Sequence, residues 1–339
     1  MKRPAALSSA SDPARIARFA EDLTRLWPAA VARRAGAAGQ AMGAGLGLAV
    51  SGGPDSLALL LLASAALPGR VRAATVDHGL RAQSADEARF VSGICADLGV
   101  PHATLGVTVA EGNVQGEARK ARYAALDEWA RGAGLGALAS AHHADDQAET
   151  LLARLNRASG VAGLAGVRAA GRVPGSELPL LRPLLGWRRA ELAEVVAAAG
   201  IEAVDDPSNR DLRFDRARLR AALAGADWLD VGAIAESARH LAEADAALDW
   251  ATAREWREGV TPGALGSFVY RPQAPRAIAL RVIAQLVARL DGEAPRGSAV
   301  ARLFDSLVAG QPASIGALVA RPGPDGWSFM KAPARRTLG

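Results

Sequence analysis

Between Leu46 and Leu62 two apolar runs meet across six residues of turn chemistry, and few folds accommodate that arrangement. The first run, 46–50, is short and continuous, as in a strand buried on both faces of a parallel sheet. It stops at Ser51-Gly52-Gly53-Pro54-Asp55-Ser56. The second run, Leu57 to Leu62, carries leucine and alanine at helical density. A strand, a glycine-rich turn and a helix in that order present free backbone N–H groups to a phosphate. Gly52 and Gly53 lack a Cβ, so the backbone can approach an anion closely. Ser51 and Ser56 offer hydroxyls, and Asp55 can hold a Mg2+ ion beside the phosphates. The alternative reading of the six residues is a plain Gly-Pro turn.

The loop is not a Walker A sequence, because G-x-x-x-x-G-K-[ST] is absent and no lysine falls between Lys2 and Lys120. It is not a dinucleotide fingerprint either: Gly43, Gly45 and Gly47 lie before and inside the strand, where that motif must follow it. The pattern S-G-G-x-D-S resembles the pyrophosphate-binding loop of the N-type ATP pyrophosphatases, the PP-loop superfamily, which split ATP between its α- and β-phosphates.

Composition narrows the class. Half of the 339 residues are hydrophobic and 22% are charged, so the chain can bury a sizeable core and is long enough for two domains. Cys95 is the one cysteine, which excludes an internal disulfide framework and a cysteine-based zinc or iron–sulfur site, and fits a reducing cytoplasm. No apolar run reaches the ~18 residues of a membrane helix. The Lys2-Arg3 pair has no apolar segment behind it, so no secretory signal is expected. Residues 51–250 carry a net charge of −5, whereas the first 50 residues carry +4 and residues 251–339 carry +6. A basic C-terminal region is an electrostatic footprint for nucleic acid, and equally an ordinary solvated surface.

Short β-type runs at 46–50, 72–76, 103–107 and 136–140 alternate with helical patterns at 56–66, 84–99, 114–133 and 144–156. This predicts an α/β, doubly wound, mostly parallel sheet with ligands at the carboxyl ends of the strands. The Ser51 loop, Asp77-His78 and His142-His143 each directly follow a predicted strand, so they should meet at one sheet edge. Beyond residue 210 the strands stop. Helices are expected over 213–258, 276–290 and 296–309, with a hairpin within 314–330. Trp228, Trp250 and Trp256 are expected in core or interface packing. The predicted organisation is an N-terminal extension (1–40), an ATP-binding catalytic domain (41–215) and a mainly helical C-terminal domain (216–339) that contacts tRNA.

Three further blocks carry chemistry: Val76-Asp77-His78-Gly79-Leu80-Arg81; Ala141-His142-His143-Ala144-Asp145-Asp146-Gln147-Ala148-Glu149-Thr150; and Asp205-Asp206-Pro207-Ser208-Asn209 with Arg213, Arg216, Arg218 and Arg220. Together with the Ser51 loop, Asn113-Val114-Gln115, the run Ala118 to Tyr123 and the run Ser159 to Leu164, they resemble the motif set of the tRNA(Ile)-lysidine synthetases, continuously from about residue 46 to 220. That resemblance implies an adenine nucleotide alpha hydrolase-like fold. It also implies a reaction in which ATP adenylates C2 of the first-anticodon-position cytidine of an isoleucine tRNA with a CAU anticodon. Pyrophosphate leaves, L-lysine attacks, and AMP leaves. Ala158 departs from the family, which has glycine there, and the chain is shorter than the family's long form.

Within this reading Ser51, Gly52, Gly53, Pro54, Asp55, Ser56, Asp77 and His78 bind ATP, and Asp55 also contacts Mg2+. His142 or His143 donates to the α-phosphate or the leaving AMP; the same His-His-x-Asp-Asp string is also a transition-metal pattern. Asp146 and Glu149 lie three apart on one helix face and suit the amine of lysine. Arg216 suits its carboxylate or an AMP phosphate, whereas the competing reading makes Asp146, Glu149 and Arg216 a structural ion-pair network. Asp145 points elsewhere on the helix. Arg119 and Arg122 contact tRNA, or are ordinary exposed helix charges. Rival functions are another PP-loop tRNA-modifying enzyme of thiolase type, which typically needs paired cysteines, and a non-catalytic RNA-binding module. The sequence leaves the oligomeric state open, a homodimer included.

Overall fold

The computed structural model describes residues 12–27, 45–77, 84–107, 114–204, 215–293 and 295–332. His78 and the block 205–214 lie outside them. The chain divides into two compact units, Met1–Ala242 and Glu243–Gly339.

The first unit is built on β1 (Leu46–Ala49), β2 (Val71–Asp77), β3 (His102–Gly106), β4 (Ala137–Ala139), β5 (Ala170–Arg172) and β6 (Pro179–Leu181), in the spatial order β3-β2-β1-β4-β6-β5. All neighbours are parallel except the β5–β6 pair at the edge. Strand β1 is central, with Leu46 opposite both Val71 and Ala137, and all four of its residues are buried. Its apolar character follows from being covered on both faces. The connection from β1 runs outward to β2 on one side, while β4 returns on the other. A crevice therefore opens at the carboxyl ends of β1 and β4, the switch point where open α/β sheets bind ligands.

Helix α1 spans Pro13–Leu26, α2 Pro54–Ala66, α3 Ser84–Asp97, α4 Val114–Gly132 and α5 Ala144–Leu155. Helix α2 starts directly from the glycine-rich turn. Gly53 is its N-cap and Pro54 its first residue, where the missing N–H costs nothing. Every residue from Ser56 to Ala63 is buried, as expected of a helix apolar all round. Leu57, Leu59, Leu60 and Leu62 are fully inaccessible, and each contributes about 2 kcal/mol of transfer free energy. Part of that burial comes from α1, whose Phe19 and Leu23 join the same cluster. Arg18 of α1 stacks over Trp187 at 4.2 Å and pairs with Glu191 at 2.7 Å, while the Trp187 indole donates to Asp22 at 3.0 Å. The far side of α2 meets α6 (Arg189–Ala198) through Leu192, Val195 and Val196. On the other sheet face Tyr123, Leu126 and Ala130 of α4 pack on Ala49, Ala74 and Leu138. Helices α7 (Asp215–Ala224) and α8 (Val231–Gly259) follow, and the unit boundary falls inside α8.

The second unit carries α9 (Arg276–Asp291) and α10 (Gly297–Val308) on an antiparallel sheet of β7 (Val260–Pro262), β8 (Phe268–Tyr270), β9 (Ala313–Ile315), β10 (Leu318–Gly323) and β11 (Gly326–Lys331). The expected hairpin is β10–β11, and it lies within a sheet of five strands. Ile283, Leu286, Leu303 and Phe329 centre the core. Trp256 packs against Phe268, with ring centroids 6.1 Å apart. Trp228 and Trp250, however, are 79% and 67% exposed, so the packing expected of them is not made. Trp228 sits in the turn between α7 and α8. Trp250 falls outside the buried stripe of α8 that runs through Asp245, Thr252 and Glu255.

Candidate active site

The loop after β1 is held by its own atoms. Gly52 adopts φ +87°, a left-handed conformation that L side chains rarely adopt. A Cβ at Gly52 would stand 3.2 Å from Val204 Cγ2 and 3.3 Å from Val91 Cγ2, so it would also press on both valines. A Cβ at Gly53 would meet nothing nearer than the Ser51 hydroxyl at 3.8 Å, so the side of the loop it faces is open. Ser56 turns inward: its hydroxyl accepts from the Ser51 N–H at 3.1 Å and donates to the Gly53 carbonyl at 2.9 Å. It is 6% exposed and staples the turn from within. Ser51 is exposed, leaving its side chain at the rim.

Asp55, in the first turn of α2, faces the second strand end. Its Oδ2 lies 3.4 Å from His143 Nε2, and its Oδ1 is a buried oxygen with no hydrogen-bond partner. An orphaned hard oxygen at a helix N-terminus beside a phosphate-type loop suits Mg2+, which commonly takes one or two carboxylates and completes its shell with phosphates and water. Among the described residues no group of three or more His, Cys, Asp or Glu side chains is arranged to hold a metal ion unaided. Asp77 ends β2, where its carbonyl accepts from the Val107 N–H.

The two histidines after β4 have separate environments. His143 caps α5 and is 1% exposed. Asp146, at the third helical position, returns a carboxylate oxygen to the His143 N–H at 3.1 Å. The His143 ring sits at ion-pair distance from three carboxylates: Asp55 (3.4 Å), Asp145 (3.6 Å) and Asp146 (3.7 Å). Burial pulls its pKa down, but the Asp145 and Asp55 carboxylates outweigh that and push it up to about 9. The carboxylates around the ring therefore favour its protonated form. Asp145 moves the opposite way: burial raises its pKa, but the His143 ring, the Arg189 N–H at 2.9 Å and Arg188 at 3.3 Å hold it well below the usual carboxylate range. His142 is half-buried, and its Nδ1 lies 3.0 Å from the Ser140 hydroxyl. The sequence alone does not separate the two histidines; burial does.

Asp146 and Glu149 share the inner face of α5, both buried. Glu149 is 2% exposed and holds Arg220 of α7 by two contacts, Nε to Oε1 at 2.7 Å and Nη2 to Oε2 at 3.4 Å. Arg216 lies one turn earlier on α7. The role of Arg220 was not legible among the arginines of its block. On α4, Arg119 stacks over Tyr123 at 5.1 Å, while Arg122 is half-buried. The structure thus gathers Ser51–Ser56, Asp77, His142, His143, Asp146 and Glu149 at the carboxyl edge of the sheet.

Residues 30–226 match the PP-loop domain family. A tRNA(Ile)-lysidine synthase from Novosphingobium aromaticivorans is 50% identical over 293 residues, spanning 86% of this chain and 90% of the relative. The tRNA(Ile)-lysidine synthase of Zymomonas mobilis is 42% identical over 297 residues, spanning 86% and 89%. Among solved structures, the U34-tRNA thiolase NcsA from Methanococcus maripaludis superposes with a TM-score of 0.53 over 67% of this chain and 78% of its own, at 14% identity, which shows a shared fold. No helix among the described residues is long and apolar enough to cross a membrane. A switch-point crevice with a phosphate-type loop on one side and a His-Asp-Glu helix on the other, together with identities of 42% and 50% to named relatives over about nine-tenths of their length, leads to one assignment: the chain belongs to the tRNA(Ile)-lysidine synthase family.

Proposed function

We propose that this chain ligates L-lysine to C2 of the first-anticodon-position cytidine of the CAU-anticodon isoleucine tRNA, consuming ATP and releasing pyrophosphate and AMP in the cytoplasm. The observation that carries the proposal is the 50% identity spanning 90% of a named relative. The site chemistry supports it. The loop amides between Ser51 and Asp55 receive the departing pyrophosphate, where fixed dipoles stabilise charge without reorganising. Asp55 would hold Mg2+ through its orphaned oxygen, and the ion would neutralise charge on the phosphates. Asp77, with His78, borders the adenosine.

Of the two histidines, His142 acts on the reacting phosphate, because His143 is enclosed by three carboxylates and 1% exposed. His143 instead holds Asp55 at the start of α2 against Asp145 and Asp146 at the start of α5. Asp146 and Glu149 supply the negative potential that attracts the lysine ammonium, while Arg216 takes its carboxylate. Arg220 bonds to Glu149 and fixes its position. Arg119 and Arg122, with the domain from 216 to 339, contact the tRNA.

The test is to combine the protein with ATP, Mg2+, labelled lysine and the CAU-anticodon tRNA. Label should enter the tRNA with one AMP and one pyrophosphate released per lysine joined. Tight RNA binding without incorporation would overturn the proposal.

A further inference from the structure

Arg182 follows the last residue of β6, and its position is unusual for an arginine. It is 8% exposed, its Nε is buried without a hydrogen-bond partner, and its Nη1 donates to the Arg168 carbonyl at 2.7 Å. A buried guanidinium normally has a carboxylate partner, since an uncompensated charge is expensive to desolvate. Arg182 also lines a cavity of about 520 Å3. Three other arginines of that cavity are neutralised: Arg25 lies 3.5 Å from Asp22, Arg188 3.3 Å from Asp145, and Arg239 2.9 Å from Glu236. Arg182 is not.

On its α4 side the charged group that acts on it is another cation, Arg119. Arg119 and Arg122 stand near Tyr123 on α4, and the Tyr123 hydroxyl lies beside Arg182. Among the described residues none of the three arginines has a carboxylate within ion-pair distance. Burial lowers the pKa of both Arg122 and Arg182; Tyr123 works the other way, and the Arg119 charge adds to the fall. The topology also places Arg182 next to the chemistry. The Ser140 N–H donates to the Leu181 carbonyl at 3.0 Å, which ties the end of β6 to the segment that carries His142.

We propose that Arg119, Arg122 and Arg182 form an oxyanion receptor for the phosphodiester backbone of the RNA at the nucleotide presented to His142, with Arg182 as its buried anchor. This rests on the tRNA reading above and adds the residue and the chemistry that hold the strand. Guanidinium forks match phosphate oxygens in pairs. Three cations suit a backbone that carries one charge per nucleotide, whereas a single amino-acid carboxylate would leave two of them uncompensated. The Tyr123 hydroxyl adds a neutral donor.

The experiment is equilibrium binding of the CAU-anticodon tRNA by fluorescence anisotropy across a salt series, for the full chain and for Arg182→Gln, Arg182→Lys and Arg119→Gln. Arg119 is exposed, so that variant keeps the fold even if Arg182→Gln does not, as circular dichroism will show. Arg182→Gln and Arg119→Gln should each weaken binding about tenfold and lower the salt slope by about one phosphate contact. Arg182→Lys should recover part of the loss. Binding is read without turnover, so a failed ligation assay would remove the functional reading and leave this result standing. Unchanged affinity and salt slope in every folded variant would overturn the receptor. So would a raised KM for lysine with RNA affinity unchanged, because the cluster would then serve the lysine carboxylate.

Discussion

The two walls of the crevice are built in opposite ways. The Ser51–Ser56 wall is local: its hydrogen bonds join Ser51, Gly53 and Ser56, at most five residues apart. The α5 wall is assembled from a distance, because Asp145 is fixed by Arg189 44 residues away and Glu149 by Arg220 71 residues away. A short loop that carries its own bonds can be rigid before any substrate arrives. A wall of buried ions depends on the whole unit being folded, and each of its charges is needed by another. The loop wall fits the task of receiving a departing phosphate, and the ionic wall fits the task of selecting an amine.

The comparison breaks most visibly at Gly52. Gly52→Val forces a branched side chain into φ +87° against Val91 and Val204. It should lower kcat/KM for ATP-dependent pyrophosphate release by about a thousandfold, in the range of losing a preorganised charge stabiliser. Steady-state pyrophosphate release checks this, and a change below tenfold would mean that the loop is not held as described. On the other wall, Glu149→Ala strands Arg220 and should destabilise the first unit by about 3 kcal/mol, because half of a largely buried pair is removed. Calorimetry reads that loss, whereas a change near zero would make the pair a surface-like contact.

The fold was legible to the extent that it is local. The runs at 46–50 and 136–140 are apolar across β1 and β4 because those strands are buried at every residue, while those at 72–76 and 103–107 are short β-type runs nearer the edge, so four parallel strands could be read directly. Strands β5 and β6 have three residues each, too short to show a period, and only β5 lies at the edge. Helix α1 carries its Phe19 and Leu23 in an amphipathic pattern, yet nothing local says that it completes the core around α2. At the site, the loop and the histidine block declared themselves by position after strands. The partners of Glu149 and Asp145 did not, because long-range pairing leaves no spacing signal.

Smaller effects sharpen the same contrast. Ala158, just after α5, holds φ +51° where the family resemblance expects glycine. Ala158→Gly should stabilise the first unit by up to about 1 kcal/mol, the cost of a left-handed alanine less the flexibility of glycine. Denaturant unfolding checks this, and a destabilised variant would show that Ala158 is not strained. Cys95 is fully inaccessible, and burial pushes its thiol up to about 12. Folded protein at pH 8 should therefore give essentially no reaction with a thiol-specific dye, and unfolded protein one equivalent. Rapid labelling of the native chain would place α3 wrongly.

The division of labour between the walls is tested most directly with Glu149→Gln, which removes the charge but keeps the shape. In the presence of ATP and the CAU-anticodon tRNA, the account predicts that adenylation and pyrophosphate release stay within about threefold of the parent, while the KM for lysine rises by tenfold or more, as when an opposite charge is withdrawn from a bound cation. Loss of adenylation with an unchanged KM for lysine would contradict it.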